Sequence, residues 1–356
     1  MTDQRGKVVL SELADLYSRM FFCSDLITNL RAPLSYNETI EVPNIGALTV
    51  YSDGSSSQSA QSVSNAVISL TANKHPWVPA LLPAVSQMQN LNGQWAGAVA
   101  RQAGLMLKNN IDEEILGTYI ARSVCWDTGA SYVDNVAGDS LAAEDIVNCK
   151  AALMSNDGVM PQDIALFVSP FGEASIQKIV GFSAANPDST QGLLGIQLLG
   201  KVAGVSIYST NSVLRNHTVA TTAAVTTGTG VTHTYTVAAG HGLLPGMLVT
   251  VAGHDSDENV ATPTAITSVT STTVVVTTSA TTDGTSSDAT GVITCAKSFN
   301  VMMNRAQMFV AQQRMPSGRI VPDLTTTGDV LQVSALYGRV GRAGHARLLM
   351  SPGSAA

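Results

Sequence analysis

Asp112, Glu113 and Glu114 are a run of three consecutive ionisable side chains, and a pair of carboxylates can serve as general acid and base. Three consecutive residues on a helix point in three directions, so they cannot face one another across a substrate. A solvated or salt-bridged face is the expected reading. His233, His241 and His254, with Asp255 and Asp257 nearby, are of metal-ligand type. None of them shares the short helical or turn spacing that makes ligands converge, so they read as turn and strand-end histidines. His75 and His345 stand alone in sequence and read as structural. Gly228-Thr229-Gly230 lacks the third glycine and the following helix of a dinucleotide fingerprint, and no P-loop, G-x-S-x-G elbow or H-E-x-x-H run occurs. The expectation is a chain that is not an enzyme, with no catalytic residue, no metal and no cofactor. Arginines gather near the end, at Arg305, Arg314, Arg319, Arg339, Arg342 and Arg347. Their spacing suits nucleic-acid phosphates and inter-subunit ion pairs equally well.

Charge is scarce elsewhere. Only 13% of the 356 residues are charged, about half the usual share, while 45% are hydrophobic. Such a surface fits a protein packed against copies of itself. A net charge of -7 argues against a dedicated nucleic-acid binder. Cys23, Cys125, Cys149 and Cys295 form no C-x-x-C pair and read as reduced, buried thiols. The first residues lack the apolar run of a secretory signal, and no run is long enough to span a membrane. Synthesis in the cytoplasm is expected.

These side chains need elements to hold them. The main one is Asn92 to Ala121, where Ala96, Val99, Ala100, Ala103, Met106, Leu107, Ile111, Ile115 and Tyr119 recur every three or four residues. The spacing predicts one helix of roughly 45 Å, with Arg101, Lys108 and Asp112 on the opposite, polar side. Before it, Val8 to Asn29 has helical periodicity. Thr39 to Tyr51 and Val63 to Ala72 read as a long hairpin with a polar tip at Asp53-Gly54, and Pro43 argues against a central strand. After it, Ser140 to Asn156 reads as a helix burying Ile146, Val147, Ala151 and Met154. Ile164 to Ser169 is an apolar strand, Pro170 opens a helix, and Val202 to Thr210 is a further strand. Together these make a compact mixed α/β unit.

Composition changes abruptly after Arg215. No lysine or arginine occurs again until Lys297, and Tyr235 is the single aromatic of that stretch. Thr232–Ala238, Met247–Ala252, Thr264–Val269 and Thr273–Thr278 are β-branched runs between turn signals, the pattern of a small all-β barrel or sandwich. It reads as an insertion, because the α/β pattern resumes at Ser298.

The order of these parts resembles the major capsid proteins of tailed phages, the HK-ninety-seven fold shared with encapsulins and herpesvirus capsid floors. The resemblance is carried by the hairpin Thr39–Ala72, the spine Asn92–Ala121, LAAEDIVNCKAALMSNDGVMPQDIALFVSP from Leu141, KVAGVSIYSTNSV from Lys201 and ALYGRVGRAGHARLLM from Ala335. TYTVAAGHGLLPGMLVTVAG and TAITSVTSTTVVVTT resemble the β-barrel insertion of some short-tailed phage coat proteins. The implied class is α+β. It divides as N-terminal arm 1–36, extended hairpin 37–73, peripheral domain 74–138, axial domain 139–216, inserted all-β domain 217–297 and a return 298–356.

The resemblance implies a subunit that self-assembles into hexamers and pentamers of an icosahedral virion shell around double-stranded DNA, which it contacts non-specifically. It implies a portal and a decoration or cement protein as partners, and no membrane. No long helical N-terminal extension is read in the sequence, which implies a separate scaffolding protein or none. No lysine–asparagine–glutamate trio matches the covalent cross-link of the founding member. Tyr51, Asp53, Gly54, Arg101, Lys108, Asp112, Arg305, Arg314 and Arg319 are the candidate inter-subunit contacts. An encapsulin-like cargo shell is the second reading, distinguished by its gene neighbours. An enzyme with an appended β-sandwich binding module is the third, distinguished by activity in the isolated core.

Overall fold

The computed structural model describes residues 26, 28–30, 36–45, 65–83, 94–116, 133–134, 141, 143–155, 160–178, 196–213, 215–223, 225–227, 232–239, 241–243, 245–254, 259–278, 290–323, 328–342 and 345–352. β1 (Thr28–Asn29) runs parallel to a later strand, with Leu30 N donating to Val310 O at 2.8 Å. The helix expected to reach Asn29 has therefore given way to extended chain at its end, where a sheet edge offers backbone partners. Its earlier part, 8–25, lies outside the described residues. β2 (Thr39–Ile45) and β3 (Asn65–Thr71) form a two-stranded antiparallel ribbon in which Pro43 faces Val67. A two-stranded ribbon has only edges, which is where proline is tolerated.

β4 (Trp77–Pro83) follows; two of its seven residues are prolines, Pro79 and Pro83, which argue against a strand in the sequence. It is the edge strand of a four-stranded sheet, so the missing N–H groups cost little. α1 (Gln94–Leu116) then crosses that sheet over 23 residues. β5 (Val133–Asp134) is short. α2 (Ala143–Met154) buries Asp145, Ile146, Cys149 and Leu153, whereas Val147 and Met154 are exposed, so the expected buried face is turned. β6 (Ile164–Val168) is buried at every residue, and α3 (Pro170–Gln177) begins at once behind the cap Ser169. β7 (Ile196–Val202) and β8 (Val205–Thr210) make a hairpin where the sequence had suggested one strand.

The Thr-rich segment contains β9 (Arg215–Ala220), β10 (Thr226–Thr227), β11 (Thr232–Thr236), β12 (Leu248–Ala252), β13 (Val260–Val269) and β14 (Thr273–Thr277). β15 (Val292–Asn304), β16 (Met308–Asp323), β17 (Gly328–Gly341) and β18 (Ala346–Pro352) complete the chain. The small sheet runs β1-β16-β17-β4, and the large one runs β10-β11-β14-β13-β12-β15-β6-β8-β7, with β9, β18 and β5 attached through β15 and β18.

β15 ties two regions together. Its first half pairs with β9 and β12, and its second half pairs with β6 and β18. In the Thr-rich region the pairings return to their start: Thr221, just after β9, bridges Val237, and Thr222 N donates to Thr236 O at 2.8 Å. β11, β12 and β14 alternate buried and half-exposed residues, the period-2 signature of one inward face. Tyr235, Met247, Val249, Val251, Val274, Val276 and Ile293 fill the inside. The histidines there are bonded locally. His241 Nδ1 accepts from Leu243 N at 3.0 Å while its Nε2 donates to Thr270 O at 3.0 Å, so both ring nitrogens are used within the segment. His217 Nε2 donates to His241 O at 2.6 Å, and His254 Nε2 meets Thr221 Oγ1 at 3.2 Å. A Cβ on Gly291 would stand 2.1 Å from His254 Nε2, so only glycine leaves room for that ring.

The strands β6 and β15 have both faces covered. Ile164, Leu166, Val168, Met302 and Leu349 pack under α2 and α3. Ala165, Phe167, Val301, Met303 and Leu348 belong to the larger core with α1 and the Thr-rich interior. A continuously apolar strand is the sequence sign of this two-sided burial. Buried Asn300 is the polar pin of this layer: its Oδ1 accepts from Ser169 N and its Nδ2 donates to Ser351 Oγ, both at 2.9 Å. Asn300→Ala strands two buried partners and is expected to cost about 1–3 kcal/mol, read as a lower denaturant midpoint at unchanged slope.

Candidate functional site

Most of the described residues that the periodicity selected on α1 are buried, with Met106 the exception. Ala100, Ala103, Leu107, Ile111, Ile115 and Leu116 are buried, but Met106 is 56% exposed. Lys108 and Asp112, expected on the polar side, are buried at 1% and 0% exposure and form an i,i+4 ion pair. Two opposite charges one turn apart can share that burial, each supplying the other's partner.

Glu114 stands further along the helix and receives two cations. The guanidinium of Arg339, from β17, lies against its Oε2, and Lys74 Nζ, just past β3, is 3.6 Å from the same oxygen. Backbone bonds reinforce the joint: Lys74 N donates to Tyr337 O and Tyr337 N to Lys74 O, each at 3.0 Å. Burial pushes the Tyr337 hydroxyl above the ordinary tyrosine range; Glu114 adds to this, Arg339 opposes it and Asp112 adds again. Tyr337 therefore stays neutral in a cluster of paired charges. Between Tyr337 and Arg339 sits Gly338, where a Cβ would meet Thr71 O at 2.3 Å and Ala72 Cα at 3.0 Å. The base of the β2–β3 hairpin thus lies against bare backbone of β17 and is linked by charge to α1. Lys74, Glu114, Tyr337, Gly338 and Arg339 were not among the predicted contacts. A further signal lay in the sequence, a glycine inside an otherwise continuous strand pattern, which marks close backbone approach.

The predicted contacts fare differently. Tyr51, Asp53 and Gly54 lie outside the described residues. Arg101 is exposed on α1. Arg305 is half-buried, its Nη2 donating to Gln162 O at 3.0 Å. Arg314 lies in β16 opposite Leu336, where the register shifts. Arg319 is exposed and its Nε donates to Gln332 Oε1 at 2.8 Å. Lys108 and Asp112 pair with each other inside the chain, and among the described residues the remaining candidates are not gathered into one site.

Outward-facing residues of the small sheet form a different surface. Trp77 and Leu81 project from β4 at 57% and 45% exposure. Leu81 is opposite Val330, and Val330 is opposite Val321, itself exposed, so one apolar row crosses three strands. The same strands turn Val78, Ala80, Leu331 and Val333 toward the core.

At the turn between β17 and β18, burial, then Arg342 and then Arg347, hold the His345 imidazole below its ordinary value of 6.5. The unfolded chain thus binds this proton at higher pH than the folded chain does. His345's share of stability is full above about pH 6.5 and is lost as pH falls toward the lowered value. His345→Gln is expected to flatten that part of the profile, measured by thermal melts between pH 7.5 and 5. Among the described residues, no group of three or more His, Cys, Asp or Glu side chains is placed to hold a metal ion. Nor is any described helix long and apolar enough to cross a membrane.

No protein-family model matches the sequence, and no curated protein matches it. Solved structures do match in fold. The capsid of Ralstonia phage GP4 aligns at TM-score 0.52 and 8% identity, over 93% of this chain and 88% of that one. The mature capsid of bacteriophage PhiM1 aligns at TM-score 0.51 and 13% identity, over 92% and 86%. A Gordonia phage Cozz protein aligns at TM-score 0.51 and 9% identity, over 93% and 86%. The chain therefore has a capsid-like fold of mixed helices and sheets along nearly its whole length.

Proposed function

We propose that this chain is the major capsid protein of a tailed phage, a structural subunit that self-assembles into the hexamers and pentamers of an icosahedral shell. The observation that carries the reading is the capsid-like fold over more than nine-tenths of the chain. Fold alone does not fix function. Two features of the surface point the same way. A contiguous exposed apolar row is a mark of protein–protein contact, and Trp77, Leu81 and Val321 supply one. A hairpin whose base is locked to the helix can carry load to a neighbour, while an isolated two-stranded ribbon is at best marginally stable.

In this reading the architecture is of the HK-ninety-seven type, with α1 as its spine and β2–β3 as the extended arm. The closed circuit of strands within 217–297 corresponds to the barrel insertion of some short-tailed phage coat proteins. The shell encloses double-stranded DNA held without sequence preference, in keeping with a net charge of -7. A portal, a separate scaffolding protein and a cement protein are the expected partners, and the mature location is the virion.

Negative-stain microscopy of the purified chain tests this. Closed particles of uniform diameter are expected, and dispersed monomers under every assembly condition count against it. Trp77→Ser with Leu81→Ser should leave the melting temperature of the unassembled subunit in place and suppress particles. Buried aromatic anchors are typically worth about 2 kcal/mol or more at an interface. An unchanged particle yield from the double variant would remove the outward face from the list of contacts.

A further inference from the structure

The Thr-rich region turns an uncharged grid of side chains outward. On β11 these are Thr232, Thr234 and Thr236, which alternate with buried residues. On β14 they are Thr273, Val275 and Thr277, again alternating with buried residues. The register sets them in rows across the strands: Thr232 is opposite Thr277, Thr234 opposite Val275, and Thr236 opposite Thr273. β13 extends the rows on the other side of β14. Exposed Ser268 is opposite Val275, and exposed Thr267 has its Oγ1 2.9 Å from Thr277 Oγ1. Val275 thus stands at the centre, and its neighbours along and across the strands carry hydroxyls.

Strand propensity explains threonine at such positions but not the lack of charge, because exposed positions ordinarily mix in charges of both signs that keep copies apart. No lysine or arginine occurs between Arg215 and Lys297. The acidic residues of that stretch, Asp255, Asp257, Glu258, Asp283 and Asp288, fall between its strands. The polar groups of the grid suit a surface of their own kind. A hydroxyl is donor and acceptor at once, so a hydroxyl face is complementary to a copy of itself, as a face of one-signed charge is not. Several hydroxyls also keep a partner when water leaves: Thr267 is paired with Thr277, and Thr270 Oγ1 lies 2.6 Å from Thr273 Oγ1.

Size narrows the occupant further. Three strands about 4.8 Å apart, with about five residues along each, cover on the order of 200 Å². A stable pair buries roughly 800 Å² per partner. A face this small cannot hold a partner that arrives alone; it serves one that other contacts have already brought alongside. In a shell that partner is another copy of the chain. We propose that this face is an isologous contact, packing on the same face of a second copy about a two-fold axis that passes near Val275. The proposal rests on the shell reading above. A polysaccharide also offers hydroxyls, but it calls for an exposed ring to stack on, and the one aromatic of this stretch, Tyr235, is buried.

The test compares the full-length chain with Val275→Lys and Val275→Glu, each alone and the two mixed in equal amounts, following assembly by sedimentation at low and high salt. Either variant alone brings like charges together and is expected to raise the subunit concentration needed for assembly about tenfold or more, a gap that high salt narrows. The equal mixture sets lysine against glutamate and should lower the threshold toward the parent's. An unchanged threshold in the single variants overturns the proposal. So does a mixture that assembles no better than its components, because the face then meets some other surface. If the unmodified chain stays monomeric throughout, the shell reading itself fails, an outcome distinct from either. Should the variants melt early as unassembled subunits, a map of the unmodified particle decides. Two such faces stacked about 10 Å apart across a two-fold axis support the contact, and solvent or any other element over Val275 overturns it.

Discussion

Gly338→Ala is expected to unseat the base of the β2–β3 hairpin and to cost about 3 kcal/mol, at the upper end of the overpacking range. The reason is the identity of the atoms in the way. The new methyl would meet Thr71 O at 2.3 Å, Thr71 C at 2.7 Å and Ala72 Cα at 3.0 Å. All three are backbone, so no rotamer change relieves the contact. The strand must separate from β17, and the paired bonds between Lys74 and Tyr337 go with it. Hydrogen exchange reads this directly. The Ala72 amide, which donates to Glu38 O, and the Lys74 amide should lose protection while those of β6 keep theirs. Unchanged protection at Ala72 and Lys74 would show that the hairpin is not held by this approach.

The second large effect comes from splitting the buried pair on α1. Lys108→Met leaves the carboxylate of Asp112 fully buried without its ammonium, and about 3–5 kcal/mol of stability should be lost. Asp112→Leu should cost a similar amount from the other side. Combining the two removes both charges and fills the space with apolar atoms. The double variant is expected to lie near the parent or above it, so the coupling is large and opposite in sign to the single losses. Denaturant unfolding of the four proteins measures the cycle. Additive losses in the double variant would mean that the two side chains are held by other groups rather than by each other.

The sequence made elements legible where a single force decided them. β6 was plain because a strand covered on both faces must be apolar at every position, and Ile164–Val168 is. The Thr-rich strands were plain because alternation and turn residues coincide there. α1 was plain as a helix, and so was most of its buried face, but not the edges of that face. Hydrophobic periodicity places Met106 inside and Lys108 outside, whereas the buried arc of α1 includes Lys108 and Asp112, whose ion pair lets two charges enter it. β4 was hidden because its prolines argue against a strand unless its edge position is known. The joint at Glu114 was illegible for a further reason. Lys74, Glu114 and Arg339 are far apart in sequence and become neighbours only through the pairing of β17 with β4 and the crossing of α1. The carboxylate run that opened the sequence reading thus divides three ways: Asp112 in a buried pair, Glu113 exposed, and Glu114 binding the hairpin base to β17.

Sedimentation velocity of the purified full-length chain over a concentration series is the most direct test of the shell assignment. The account predicts a sharp threshold, above which monomer passes cooperatively into one fast-sedimenting boundary of closed particles. A single monomer boundary at all concentrations and salt conditions, with scaffolding supplied or withheld, would contradict it.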